Sequence, residues 1–435
     1  MATKSMVGRA VDASAELRRQ VEAAKAASPA LGWATTEQKN AVLHTGAALL
    51  RERSGEIVAA NAEDVAEASG HLSEAMIDRL TLTPDRVEAL AASLEDLALL
   101  EDPVGETIDR TTAESGLEIE RVRVPLGVIA SVYESRPNVT IDIGAICLKS
   151  GNASVLRGGR EAIRSNRILA DVLRDALAAN DLPADAIQLV RSTDRALVGE
   201  LLAMNDLIDL MVPRGGQALI NRVRREASMA VVAGGVGICH TYIDAAADLE
   251  MALAVVDNAK RRRVSICNAL DVMLVHEAVA PQFLSELGRR WAGDGPTPVE
   301  LRADDRAQAL LAESSAKVHP AGPDDFDTEF LSLTAAVGVV DDADAALAHI
   351  AEHGSGHSEA VITSDEALGR RFLREVDAAA VYVNASTQFT DGGQFGLGAE
   401  VGISTGKLHA RGPMGLRELT SYKWVIRGDG HIRPV

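Results

Sequence analysis

Cys267, in Val264-Ser265-Ile266-Cys267-Asn268, is the side chain in this sequence best suited to covalent chemistry. A thiolate is a strong nucleophile and a good leaving group, which suits a transient thioester. Gly234-Gly235-Val236-Gly237 precedes it, and Lys260-Arg261-Arg262-Arg263 stands just upstream. Nearby cations lower a thiol pKa, although Arg261 and Arg262 read better as a solvated helix end. Asn138, in Arg136-Pro137-Asn138, has two readings: a cap on the helix that follows it, or an amide donor to a developing oxyanion. A thiol, a side-chain amide and glycine-rich turns, taken together, suggest acyl-group chemistry on a nucleotide-binding scaffold.

The anion-binding candidates are loops. Gly151-Asn152 and Arg157-Gly158-Gly159-Arg160 straddle a short apolar strand and open a helix. Glycines let a backbone approach a phosphate, and a helix N-terminus favours anions. Arg157 and Arg160 at a strand's carboxyl end suit a phosphate better than a tight turn requires. Val212-Pro213-Arg214-Gly215-Gly216 repeats the pattern one βα unit later. Neither loop matches G-x-G-x-x-G or the P-loop. The 10 His residues form no HExxH and no Cys/His cluster, so no metal site is expected.

The elements that must carry these residues follow from periodicity. Residues 9 to about 100 are helical by pattern: Val42, Leu43, Leu49 and Leu50 share a face, as do Leu90, Leu94 and Leu97. Thr83-Pro84-Asp85 reads as a helix start, with Thr at the N-cap. Over 104–121 charged and apolar residues alternate, the signature of a half-exposed hairpin. From 122 to 240 short strands (127–132, 153–156, 187–190, 207–211) alternate with helices such as 160–179, which predicts a parallel, doubly wound sheet. A second alternation with strands at 272–275, 335–340 and 381–384 predicts an α/β domain with a turn-rich loop at 293–298.

At 435 residues the chain is too long for one core. Its 47% hydrophobic and 25% charged residues are those of a globular protein, and 3% aromatics require a core of Ala, Val, Leu and Ile. A net charge of −19 argues against nucleic-acid and anionic-membrane partners. No apolar run reaches the ~18 residues of a membrane helix. Three cysteines, Cys147, Cys239 and Cys267, without CxxC spacing, and no leader-like N-terminus, imply reduced thiols in a cytoplasm.

Several blocks, in order, carry a family resemblance. They are Val124-Pro125-Leu126-Gly127-Val128-Ile129, Tyr133-Glu134-Ser135-Arg136-Pro137-Asn138-Val139-Thr140, Leu148-Lys149-Ser150-Gly151-Asn152, the stretch from Val381 to Glu400, and His409-Ala410-Arg411-Gly412-Pro413-Met414-Gly415-Leu416. From about Val122 to Trp424 the chain resembles the aldehyde dehydrogenase superfamily, in its branch that reduces an amino-acid acyl phosphate for proline biosynthesis. The resemblance implies a doubly wound NADP(H)-binding domain (1–103 and 122–240), an α/β catalytic domain (241–390), and an oligomerisation element (104–121 and 391–435). It implies Cys267 as nucleophile and Asn138 as oxyanion donor. Arg157 matches the superfamily's usual ribose-contacting Lys, and Arg160 replaces the Glu that NAD-using relatives carry, so NADPH is the expected cofactor. Glu329 resembles the Glu that holds the nicotinamide ribose, and Arg214, Gly215 and Gly216 extend the expected cofactor site. Arg136, Ser386, Thr387 and Arg411 are candidates for the substrate's phosphate or carboxylate; Arg136 and Arg411 read equally as structural ion pairs. Relatives carry Gln and Pro where this chain has Arg262 and Val264.

Oxidising relatives place a water-activating Glu just before the Gly-Gly that lies upstream of the Cys. Here Ala230-Val231-Val232-Ala233 carries no carboxylate, which suits a reductive enzyme. The implied reaction converts L-glutamyl 5-phosphate to L-glutamate 5-semialdehyde in a homo-oligomer, with a transient contact to glutamate 5-kinase. An oxidising aldehyde dehydrogenase and a non-enzymatic nucleotide-binding scaffold are the alternatives.

Overall fold

The computed structural model describes residues 2–292 and 297–433. The chain divides into two compact units, 1–233 with 396–402 and 414–435, and 234–395 with 403–413. The division falls at 233/234, where sequence reading placed it at 240/241.

The first unit opens with five helices, Ala2–Trp33, Thr36–Glu52, Ser54–Ala68, Glu74–Leu80 and Pro84–Leu99. Thr83 caps the last by accepting from Arg86 N–H, and Pro84 takes the first turn, where its missing N–H costs nothing. Val42, Leu43 and Leu50 are buried, as are Leu90, Leu94 and Leu97. The helices accompany a five-stranded parallel sheet in the order Ile187–Leu189, Ala153–Arg157, Val128–Tyr133, Leu210–Arg214, Ala230–Val231. The strand expected at 207–211 begins later because Asp209 is a bracket: its carboxylate accepts from Val128 N–H at 2.7 Å and pairs with Lys25 at 2.8 Å. The hairpin Thr107–Thr112/Glu118–Pro125 pairs with Thr420–Arg427 in a separate antiparallel sheet that clusters with this unit.

The second unit is built on a seven-stranded parallel sheet. Its order is Lys317–Pro320, Glu300–Ala303, Thr334–Val340, Leu270–His276, Cys239–Ile243, Ser358–Ile362, Ala380–Val383. One apolar layer centres on Phe283, Leu287, Trp291 and Val337, another on Tyr242, Val272, Val361 and Phe372. Residues 293–296 of the expected turn-rich loop lie outside the described residues.

Candidate active site

The thiol loop belongs to the second unit. It links the helix Leu249–Arg261 to the strand Leu270–His276. Cys147 and Cys239 are buried, and burial pushes both thiols up; Cys267 is partly exposed. Cys267 is therefore the most accessible of the thiols.

The loop is held from several sides. A side chain on Gly237 would place its first carbon 1.8 Å from the Cys267 carbonyl oxygen, so only glycine fits there. The Cys239 thiol donates to that same carbonyl at 3.2 Å. The Asn268 amide donates to the Thr390 carbonyl at 2.9 Å, and the Thr387 hydroxyl donates to the Asn268 carbonyl at 2.7 Å. Gln388 donates to the Ala259 and Arg263 carbonyls at 2.7 and 3.1 Å and accepts from Arg262 Nε at 2.6 Å. The Ser386 hydroxyl accepts from Gln388 N–H at 3.3 Å. Ser386 and Thr387, expected at the substrate, thus use their hydroxyls to shape the turn that clamps the thiol loop.

Three residues of the basic run have partners of their own. Lys260 is fully buried; its ammonium donates to the Leu270 carbonyl at 2.8 Å and pairs with Asp271 at 3.3 Å. Arg261 pairs with Asp257 at 3.0 Å, and Arg262 meets Gln388 rather than solvent alone. Burial moves the Lys260–Asp271 pair toward neutrality: the ammonium is pushed down, and the carboxyl is pushed up to about 6. Asp271 also accepts from Phe330 N–H at 3.2 Å, which fixes the neighbouring Glu329. Burial raises the Glu329 carboxyl, against the pull of the Gly237 N–H. Arg411 pairs with Asp377 at 2.6 Å, and its buried Nε has no partner, so both of its readings stay open.

The first unit carries the remaining candidates at the carboxyl ends of its strands. Arg157 is 8% exposed; its guanidinium donates to the Gly158 and Thr193 carbonyls at 3.1 and 3.4 Å, and Nε has no partner. A buried guanidinium with an open donor and no carboxylate bonded to it is suited to an anion, the charge a cofactor phosphate would bring. Gly158 lies within this turn, and Arg160 is exposed at the start of the short 3-10 turn Arg160–Ala162.

Two carboxylates that sequence reading missed brace these loops. Glu161 accepts from Ser135 N–H and Oγ–H at 2.7 and 2.8 Å and holds Ser135 at φ 43°, a left-handed conformation. Glu134 accepts from Gly216 N–H at 2.9 Å. Gly215 and Gly216 thus already face an internal anion, which weakens their reading as a phosphate cradle. Ser135 leads into Arg136, which is half-buried, and into Asn138, the first residue of the helix Asn138–Lys149. Asn138 makes no helix cap; its Nδ2 donates to Asp142 Oδ2 at 2.8 Å, one turn along. Burial pushes the Asp142 carboxyl up to about 6, against the pull of Asn138 and the Arg214 charge. Among the described residues no group of His, Cys, Asp or Glu could hold a metal ion, and no helix is long and apolar enough to cross a membrane.

Parallel sheets in both units and a thiol on a clamped loop match known proteins. The aldehyde dehydrogenase family model covers residues 2–293, and the chain belongs to that nicotinamide-dependent family. Within it, the chain falls among the gamma-glutamyl phosphate reductases. It is 50% identical over 420 residues to the gamma-glutamyl phosphate reductase of Dehalococcoides mccartyi (strain ATCC BAA-2266 / KCTC 15142 / 195), covering 96% of this chain and 98% of that one. It is likewise 50% identical over 412 residues to that of Escherichia coli (strain SMS-3-5 / SECEC), covering 94% and 98%. The crystal structure of gamma-glutamyl phosphate reductase from Thermotoga maritima superposes with a TM-score of 0.93 at 43% identity, over 96% of this chain and all of that one.

Proposed function

We propose that this protein reduces L-glutamyl 5-phosphate to L-glutamate 5-semialdehyde and phosphate, with NADPH as reductant, in proline biosynthesis. The observation that carries the reading is the clamped Cys267 loop, the most accessible thiol of a chain half identical, nearly end to end, to named gamma-glutamyl phosphate reductases. The Cys267 thiolate attacks the acyl carbon; the bond from that carbon to the phosphate oxygen breaks, and phosphate leaves with the electron pair. Asn138 and the Cys267 N–H donate to the oxyanion formed in that step; such donors contribute ~3–4 kcal/mol each in comparable sites. NADPH, when bound, supplies the hydride that takes the thioester to the aldehyde level. Collapse then releases the aldehyde and returns the thiolate.

Arg157, with its open Nε, and Arg160 would hold the 2′-phosphate of NADPH, and Glu329 the nicotinamide ribose. Arg136 and Arg411 are the candidates for the substrate's phosphate or carboxylate; Arg411 keeps an open Nε beside its pair with Asp377. The absence of a carboxylate from residues 230–233 supports reduction over thioester hydrolysis. The exposed Tyr422, Trp424 and Ile426 of the antiparallel sheet support homo-oligomerisation. Transient contact with glutamate 5-kinase and a cytoplasmic location complete the reading.

The test is the reverse reaction. Glutamate semialdehyde, phosphate and NADP⁺ are mixed with enzyme, and NADPH is followed. Cys267→Ala is expected to abolish turnover and keep NADPH binding, while Cys147→Ala retains most activity. Substantial turnover by Cys267→Ala defeats the reading.

A further inference from the structure

Asp142 is a carboxylate with a geometry that no helix needs. It stands one turn after Asn138 on the helix Asn138–Lys149, and its Oδ2 accepts from Asn138 Nδ2 at 2.8 Å. The helix gains little from this pair, because neither side chain caps its N-terminus. The charged group that faces Asp142 from another element is Arg214, at the end of the strand Leu210–Arg214.

We propose that Asp142 is a positioning residue that fixes the Asn138 amide, so that one Nδ2–H points to Asp142 and the second is presented to the oxyanion on the substrate's acyl carbon. The inference rests on the reading of Asn138 as oxyanion donor and adds what makes that donor work. An amide has two chemically different ends that occupy nearly the same space. An ionised carboxylate accepts only, so it admits the NH₂ end and rejects the carbonyl end. It also polarises the amide it holds, since charge-assisted hydrogen bonds are about twice as strong as neutral ones. A protonated Asp142 can instead donate to Asn138 Oδ1 and turn the amide round, which removes the donor from the substrate. Burial brings that protonation into an accessible range, with a carboxyl at about 6, and the Arg214 charge opposes it.

The test compares Asn138→Ala, Asp142→Asn and the double variant by kcat in the reverse assay, with thermal melts. Asn138→Ala is expected to lose ~100- to 1,000-fold in kcat, the effect of removing one oxyanion donor. Asp142→Asn keeps the shape and an acceptor, and loses about tenfold or more as the charge-assisted bond becomes a neutral one. The double variant loses no more than Asn138→Ala, because Asp142 acts through Asn138. A merely structural carboxylate would not move the pH profile. Beside the limb that protonation of the Cys267 thiolate gives every variant, wild-type kcat should carry a further fall as pH drops through about 6, and the Asp142→Asn profile should lack that component. Because burial raises the Asp142 carboxyl, its ionisation opposes folding above about pH 6, and this penalty vanishes below the ordinary carboxyl range. Asp142→Asn should therefore melt higher than wild type at about pH 8, with the gap closing toward about pH 4. Unchanged kcat, or a pH profile identical to wild type in Asp142→Asn, beside a crippled Asn138→Ala, overturns the proposal alone. Lower stability at about pH 8, with activity lost in step with folding, also overturns it, in favour of a structural role. Full kcat in Asn138→Ala overturns the donor reading and this proposal with it.

Discussion

Gly237→Ala is a small substitution with a large expected consequence. The added carbon would lie 1.8 Å from the Cys267 carbonyl oxygen and 2.9 Å from the Cys267 Cα, both backbone atoms. Ordinary contact begins near 3.4 Å, so the thiol loop must retreat by about 1.6 Å. It cannot do so freely, because Thr387, Gln388 and Thr390 hold Asn268 and the segment before it by hydrogen bonds that such a shift would strain. Overpacking of this kind costs ~1–3 kcal/mol, too little to unfold most proteins. The chemistry is more exposed, because a misplacement of about 1 Å costs ~100-fold in rate. Folded Gly237→Ala is therefore expected to lose ~100-fold or more in kcat, with the Cys267 thiol still present to alkylation. Gly55→Ala is the control; its added carbon meets nothing within 4 Å, and a helical alanine there should stabilise by ~0.5–1 kcal/mol. Steady-state kinetics, thermal melts and thiol alkylation measured on both variants complete the assay. A well-folded Gly237→Ala with kcat within about threefold of wild type would show that the Cys267 position tolerates the shift, and the reasoning fails.

Two further outcomes are expected. Arg160→Glu should shift preference from NADPH toward NADH, since losing a charge-assisted pair costs ~1.5–3 kcal/mol, about ten- to a hundredfold in binding; an unchanged ratio of the two KM values places Arg160 away from the 2′-phosphate. Lys260→Met leaves Asp271 buried without its cation, and breaking such a pair costs ~3–5 kcal/mol. Asp271 already has its carboxyl raised to about 6, so the loss should be greater at about pH 8 than at about pH 5, with Asp271→Asn restoring part of it; equal losses at both pH values in thermal melts refute the account.

What was legible in the sequence is what depends on neighbours along the chain. The Thr83-Pro84 helix start and the strands at Val128–Tyr133, Ala153–Arg157 and Thr334–Val340 announce themselves through local chemistry. The strands Cys239–Ile243 and Ser358–Ile362 do not, because they bury polar residues. His240 and Glu359 face each other across the sheet at 3.0 Å, and each makes the other tolerable in a place where an apolar run would have been the sequence signal. The same holds for the site. Cys267 and Asn138 stand in recognisable blocks, whereas Glu134 and Glu161 act on backbone N–H groups 82 and 26 residues away. Lys260 reads as part of a basic helix end, and only the register of the following strand turns it inward onto Asp271.

The strand Glu118–Pro125 has a consequence for how the protein is made. Its partner Thr420–Arg427 lies far along the chain; Arg123 and Thr420, which hydrogen-bond, are 297 residues apart. At translation rates of ~5–20 residues per second, the nascent hairpin waits about 15–60 s for its third strand. Through that interval one edge of Glu118–Pro125 presents unpaired N–H and C=O groups, the template on which strands of other chains associate. Among the residues along that edge, Glu118, Arg121 and Arg123 alternate with Ile119, Val122 and Val124, so charge guards the strand while it is alone. Truncation near the C-terminus would make the delay permanent, and the defect would appear first as aggregation of newly made chains, before any change in the chemistry at Cys267.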